Sequence, residues 1–428
     1  RTTHNHALSF AIRKANELKL PLVVYEGLKY YYPWASDRIH TFILEGVEEK
    51  RRGFEQLGIR YVFYLQKDER SPKQTVARIA GEAACIITDD YPCFIIPEHN
   101  RRVAERSDIP VYSVDSNGVV PLGKLEKEEY GAYTIRPKIK KLLPDYLKPF
   151  KEDNVDIDGS KLEVNCPETL VTNTDLGGLV GGCDIDHAVK HSPIYHGGEA
   201  NGRARLKMFV DEILPEYERT RNRPETDGSS RLSAYLHFGF LSPLEIALAV
   251  QASGAPQGAK DVFLEELIVR RELSFNLTSR NPNYDSLGCL PAWVQKTMRE
   301  HIDDERQFNY SLEELENGET HDELWNAAQR EMLATGEMHN YVRMLWGKNV
   351  IAWSSSYEIA FETLVHLNNK YCLDGRDPNS YAGILWCFGK HDRPWMERPV
   401  FGMMRYMTSA STGKKFDSKK YVEWTRSL

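Results

Sequence analysis

The chain is 428 residues long, with 41% hydrophobic and 27% charged residues and a formal net charge of −7. That length suits two or three domains with large buried cores, and the composition is ordinary for a soluble globular protein. An acidic balance argues against a bulk electrostatic binder of nucleic acid, and no run approaches the roughly 18 consecutive apolar residues of a membrane helix. The N-terminus, RTTHNHALSF, has no signal-peptide core and no initiator Met. The seven cysteines are odd in number and show no CxxC spacing. They suggest neither a disulfide framework nor a zinc site, so the reducing cytoplasm is the expected compartment.

Residues 1 to about 150 alternate apolar runs with amphipathic stretches. PLVVYE (21–26), YVFYL (61–65), ACIITDD (84–90) and PVYSVD (110–115) are bounded, β-branched and aromatic, and read as buried strands. Helical patterns lie between them, clearest over 38–57 and 73–83. This alternation predicts an α/β domain with a Rossmann-like parallel sheet and helices on both faces. Ligands of such sheets sit beyond the carboxyl ends of strands, which makes TDDYPC a candidate rim. Residues 151–200 hold Gly177, Gly178, Gly181 and Gly182 among many Asn and Asp, and read as a linker. From about 202 the period turns helical through RLKMFVDEILPEYE, SPLEIALAVQA, DVFLEELIVRRELSFNL, ELWNAAQREMLAT, NYVRMLWGKNVIAW and YEIAFETLVHLNNKY. Three parts are therefore expected: an α/β domain over 1–150, a linker over 151–200 and a larger all-helical domain over 201–428.

Four constellations carry candidate chemistry. Tyr217 precedes the hydroxyl cluster Ser229, Ser230, Arg231, Leu232 and Ser233. Hydroxyls at a helix start cap the helix or bind phosphate beside the free backbone N–H groups. Glu265 and Glu266 lie among apolar residues, either as surface acids or with one buried, protonated and able to donate. Trp346 and Trp353 are two turns apart on one helix and Trp325 is on the helix before, so they form an aromatic core or a row that passes electrons. Last come DGRDPN (374–379), GILW (383–386) and HDRPWMERPVFG (391–402), charged loops with interleaved Trp that suit a ligand face or a folded turn. A local basic face is offered near the C-terminus by Arg398, Arg405, Lys414, Lys415, Lys419 and Lys420.

Order and spacing of these pieces resemble the photolyase/cryptochrome family, and within it the class II cyclobutane pyrimidine dimer photolyases. NPNYDSL, THDELWNAAQREM, LDGRDPN, ERPVFG, and RYM followed by KFD carry the resemblance. It spans nearly the whole chain and is densest over 202–420. It implies FAD, folded into a U within the helical domain. Tyr217, Ser229, Ser230, Arg231, Leu232 and Ser233 would hold its diphosphate and ribityl part. Arg343 and Asp374 would form a buried pair beside the isoalloxazine, with Asn368 at flavin N5. The implied reaction is light-driven: reduced flavin lends an electron to a pyrimidine dimer flipped out of UV-damaged DNA, the ring splits, and the electron returns. Glu266, protonated, would hydrogen-bond the dimer carbonyl. Met344, Trp386 and Asn340 would line the lesion pocket. Trp346, Trp325 and Trp353 would relay electrons to the flavin, and Trp395 and Arg405 would enter the gap left in the duplex.

The match is looser in the N-terminal half, where the family's opening strand is missing or precedes Arg1. The resemblance allows a second, light-gathering chromophore of deazaflavin or folate type in the α/β domain, with no residue assigned to it. Arg270 stands where some class II enzymes place another lesion-packing Trp, and the WCFGKHD loop is one residue shorter than usual. A monomer without membrane attachment is expected. The alternative reading is a cryptochrome-like flavin photoreceptor without repair. A (6-4) photolyase would need a His pair that the sequence does not show. A generic nucleotide-binding module with a helical partner domain would purify without flavin bands.

Overall fold

The computed structural model describes residues 1–428. All four apolar runs are strands: β1 (Val23–Lys29), β2 (Arg60–Gln66), β3 (Ile86–Asp89) and β4 (Val111–Val114). They alternate with α1 (His6–Leu18), α2 (Asp37–Glu45), α3 (Val47–Gln56), α4 (Thr75–Ala80) and α5 (Ile96–Arg106). Helical crossovers of this kind make neighbouring strands parallel. β1 lies beside β2 from Val23 opposite Arg60 to Lys29 opposite Gln66, and β3 beside β4 from Ile86 opposite Val111 to Asp89 opposite Val114. The expected single sheet is divided. No ladder joins the two pairs. A cavity of about 780 Å³ opens between β1, β2, α4 and α5, lined by Tyr25, Tyr64, Lys73, His99 and Arg102 among others.

Residues 151–198 contain a single short helix, Leu176–Gly181, and are otherwise irregular. They are not a free tether. Thr169 N–H donates to the Phe63 carbonyl at 2.7 Å, its hydroxyl accepts from Leu65 N–H at 3.0 Å, and Asp184 N–H donates to the Lys67 carbonyl at 2.9 Å. This strap covers the outer edge of β2, whose residues from Tyr61 on are buried. It removes the open edge that a two-stranded pair would otherwise present.

Every regular element from Glu199 onward is a helix. One core gathers the helices Glu323–Thr335, Asn340–Trp353, Tyr357–Tyr371 and Pro378–Cys387 around Trp325, Val350, Leu364 and Leu367. The Asp322 carboxylate caps the first of these by accepting from Trp325 N–H at 3.0 Å, and Gly336, at φ +82°, ends it. A second core joins Leu214, Leu241 and Val250 to Ile135 and Ile139, so the helix Ala132–Tyr146 packs with the helical half. The stretch Gln257–Arg280 is one long helix interrupted by a π-helical turn at Glu265–Arg270. Such turns collect at functional sites because the extra residue re-aims side chains. No helix is long and apolar enough to cross a membrane.

The halves share the second core, which takes in Phe42 and Val119, and buried polar joints add to it. Arg38 of α2 donates to the carbonyls of Lys190 (2.9 Å), Met332 (3.1 Å), Tyr371 (2.7 Å) and Leu333 (2.6 Å), the last two being carbonyls that helix ends leave open. TDDYPC is the other joint and not a ligand rim. Tyr91 OH donates to Asp377 at 2.7 Å, the Cys93 thiol to the Arg376 carbonyl at 3.3 Å, and Phe94 N–H to Tyr284 OH at 2.9 Å.

Candidate active site

The LDGRDPN turn follows the helix Tyr357–Tyr371 and is folded tightly upon it. A Cβ at Gly375 would meet the Asn368 carbonyl at 2.8 Å and Asn369 Cα at 2.9 Å, so only glycine fits. Arg376, at φ +63°, turns its guanidinium back to the carbonyls of Cys372 (3.3 Å) and Leu373 (3.2 Å). Asp377 caps the next helix by accepting from Asn379 N–H at 2.9 Å. Burial works to raise its pKa, but His237 at 3.2 Å and Arg271 hold it down to about 2.

This turn brings Asp374 to Arg343, with Oδ1 3.5 Å from Nη2. Burial opposes the Arg343 cation, yet Asp374 raises its pKa. The pair is incomplete, because Arg343 Nε and Asp374 Oδ1 are both buried with no hydrogen-bond partner. Asn368, 3% exposed, makes only a 3.3 Å side-chain bond to Asn369. Open buried donors and acceptors in one place mark where a polar ligand edge fits.

The hydroxyl cluster does not cap its helix. Ser233–His237 is five residues long, its N-cap position is Leu232, and no side chain closes it. Arg231, at φ +53°, is 3.3 Å from Asp227 and 3.4 Å from Glu337. Arg205 donates to the carbonyls of Ser229 and Ser230 at 2.8 Å each. Ser229 and Arg231 line a polar cavity of about 130 Å³ together with Glu225, Asp227, Glu337 and His339. Leu232 and Tyr217 are core residues, the latter packed edge-on against Phe209 at 5.6 Å and Phe263 at 5.4 Å.

Both acids of the π turn have arginine partners. Glu265 meets Arg136 at 2.7 Å, and Glu266 meets Arg221 at 2.7 Å with a third of its side chain exposed. The resemblance puts Glu266 on the dimer carbonyl; in the structure its side chain meets Arg221. Trp386 lies under Arg270, whose Cζ is 5.3 Å from the ring centre. Met344 packs partly buried against the main core, and Asn340 is exposed at the start of its helix.

The tryptophans form a row, ordered differently from their places in the chain. Trp325 stands between the other two: its ring is 6.3 Å from Trp346 at 9° and 5.7 Å from Trp353 at 65°. Each is under a tenth exposed. Trp325 Nε1 donates to the Trp346 carbonyl and Trp346 Nε1 to Gln329, both at 3.0 Å. Trp346 follows Arg343 by three residues on one helix, so the row begins on the face that carries the ion pair. Tyr310 lies 5.5 Å beyond Trp353, with its hydroxyl 2.7 Å from His321 Nδ1.

Residues 393–405 form a hairpin whose first limb, 393–399, is exposed and whose second is anchored in the core through Val400, Phe401 and Met404. Arg398 and Gly402 exchange backbone bonds at 3.0 and 2.7 Å, and Trp395 N–H donates to the Met403 carbonyl at 2.8 Å. Arg393 and Arg405 stack on Trp395 at 5.0 and 5.2 Å. Beside it Met396 is 80% exposed, a wedge-like residue that sequence reasoning did not single out. Only the exposure of an apolar residue between charged neighbours would have signalled it.

Residues 1–155 match the family model described as DNA photolyase. A deoxyribodipyrimidine photo-lyase of Methanothermobacter thermautotrophicus is 40% identical over 100% of this chain and 93% of its own length. One of Arabidopsis thaliana is 37% identical over 100% of this chain and 87% of its own. Among solved structures, a class III photolyase of Agrobacterium tumefaciens shares the fold with a TM-score of 0.69 at 18% identity, over 99% of this chain and 84% of its own. A Synechocystis cryptochrome does so with a TM-score of 0.73 at 16% identity, over 99% and 86%. Identity at this level across whole chains places the protein in the deoxyribodipyrimidine photo-lyase family of enzymes.

Proposed function

We propose that the protein repairs cyclobutane pyrimidine dimers in UV-damaged DNA, using light and FAD bound in the helical half, in the manner of the class II photolyases. One observation carries the reading: an ion pair with open buried atoms, Arg343 Nε and Asp374 Oδ1, next to a stacked tryptophan row on the same helix. Arg343, Asp374 and Asn368 would hold the polar edge of the flavin, and Ser229, Ser230, Arg231 and Ser233, above Leu232 and Tyr217, its phosphate and ribityl part. When bound and reduced, FAD supplies a photoexcited electron, and the chain itself supplies position and electrostatics. Glu266, held by Arg221 at 2.7 Å, would meet the dimer that rests on Trp386. Trp386 offers the flat apolar face on which an extruded base pair stacks, with Met344 and Asn340 at the pocket's side. Trp346, Trp325 and Trp353, spaced for short electron hops, lead from the cofactor site toward Tyr310. Trp395, braced by Arg393 and Arg405, fills the gap in the duplex, and the arginines meet phosphates. A light-gathering chromophore, where one is carried, has room in the cavity between β1, β2, α4 and α5.

The test is illumination of the chemically reduced holoprotein with dimer-containing oligonucleotide, following recovery of pyrimidine absorbance. Wild type restores it in light and not in the dark. Glu266→Ala and Trp386→Ala slow it roughly tenfold or more, as expected when a group touching the reacting base is lost. A wild-type protein that retains flavin and restores nothing overturns the reading in favour of a photoreceptor.

A further inference from the structure

Trp386 has two polar neighbours that the roles above leave unused. The guanidinium of Arg270 lies over its ring at 5.3 Å, and the imidazole of His391 stands edge-on at 6.2 Å, the planes at 76°. Each carries one buried nitrogen with no hydrogen-bond partner, Nε in Arg270 and Nε2 in His391. Neither opening is an accident of a loose side chain. Arg270 closes the π turn, and its one acidic neighbour, Glu265 at 3.7 Å, is already held by Arg136 at 2.7 Å. His391 sits at φ +62°, a costly conformation for a residue other than glycine. It is held there by an Nδ1–H bond to the Tyr130 carbonyl at 2.8 Å.

The Tyr130 carbonyl can only accept, so the His391 proton is on Nδ1. Burial pushes the ring's pKa down to about 4, and it is neutral at ordinary pH. Nε2 therefore presents a lone pair, whereas Arg270 Nε presents an N–H. A donor and an acceptor beside one indole ring match the imide edge of thymine, which alternates carbonyl, N3–H and carbonyl. Cytosine inverts that edge at N3 and at the exocyclic position, and would set lone pair against lone pair.

We propose that Arg270 and His391 are specificity residues that read the imide edge of the pyrimidine resting on Trp386. Arg270 donates to a ring carbonyl and His391 Nε2 accepts from N3–H. The proposal rests on the lesion-pocket reading above. It makes the site selective for thymine within the dimer.

The experiment is dark binding of the holoprotein to three oligonucleotides: undamaged, carrying a thymine dimer, and carrying the same dimer methylated at both N3 positions. Wild type should bind the unmethylated dimer roughly tenfold more tightly than the methylated one, the worth of one such bond. His391→Phe should bind the two alike. Arg270→Ala should weaken dimer binding roughly tenfold while leaving undamaged DNA and the salt slope unchanged. A mere phosphate contact would weaken both DNAs together and lower the slope by about one. Arg270→Lys, which keeps the charge over Trp386 and removes Nε–H, serves should the alanine variant fold poorly, and flavin content checks the fold of each. Equal wild-type affinity for methylated and unmethylated dimers overturns the proposal, as does a His391→Phe protein that still prefers the unmethylated one. If wild type does not distinguish dimer from undamaged DNA, the lesion-pocket reading fails and this proposal falls with it.

Discussion

At the scale of single residues, the site works by what is left unsatisfied. Most buried polar atoms in a folded protein find partners, so the open atoms of Arg343 and Asp374 stand out against the closed ones around them. Trp346 is the residue whose loss separates two roles. Its ring stacks on Trp325 and starts the row. Trp346→Phe is expected to abolish photoreduction of the bound flavin while sparing repair by chemically reduced protein. Absorbance under steady light checks this, and intact photoreduction would remove Trp346 from the relay. The candidates at this scale come from the sequence: Asp374 lies in LDGRDPN, and Arg343, Asn368 and Trp386 in the helical stretches on either side of it. Their partners do not. Arg221 precedes Glu266 by 45 residues, and no local pattern states that the π turn will bring them to 2.7 Å. The order of the tryptophans was hidden for the same reason. Trp346 and Trp353 share a helix, but Trp325 comes between them through the packing of two helices, which spacing along one helix does not encode.

Elements show how a local device shapes the site. The helix that carries Glu266 and Arg270 also carries Glu272, which is 1% exposed. One carboxylate oxygen of Glu272 accepts from Val119 N–H at 2.8 Å and Val120 N–H at 2.9 Å, and the other has no partner. Burial pushes its pKa from 4.5 up to about 8. Between those values the unfolded chain loses a proton that the native state keeps. The native state is thus the better proton binder, and stability falls as pH rises through the window by roughly 1.4 kcal/mol per unit. Glu272→Gln keeps the accepting oxygen and removes the titration. Its thermal midpoint should exceed that of wild type at pH about 8 and approach it at the acid end of the window. An unchanged pH profile would show that Glu272 is ionised in the native state. The hairpin at 393–405 makes a separate prediction. Trp395→Ala should weaken binding of dimer-containing duplex roughly tenfold, as expected for a lost stacking surface, and leave dimer-containing single strands unaffected. Equal losses on both would mean that Trp395 fills no gap. Strands and long helices were legible from period and β-branching. The π turn was not, since the residues of a helix with i+5 bonds look like those with i+4 bonds.

For the whole molecule, the halves are locked by a shared apolar core and by buried polar joints such as Arg38. Arg38 satisfies four carbonyls from three segments. Arg38→Ala strands the Leu333, Tyr371 and Lys190 carbonyls, Met332 keeping its Gly336 N–H partner, and should cost on the order of 3 kcal/mol. Calorimetry should then show a lower midpoint and two transitions where wild type shows one. A single unshifted transition would mean that the halves are held elsewhere. The sequence announced an α/β part, an irregular stretch and a helical part. It did not reveal that the stretch straps β2, that TDDYPC is a joint, or that the strands divide into two pairs, since each depends on contacts far apart in the chain. The account's central claim is that this arrangement holds a flavin within electron-transfer reach of an extruded dimer. The excited-state lifetime of the reduced flavin measures that reach directly. Thymine-dimer DNA bound in the dark should shorten it, and undamaged DNA should not. A lifetime that stays the same while dimer DNA is demonstrably bound would contradict the account.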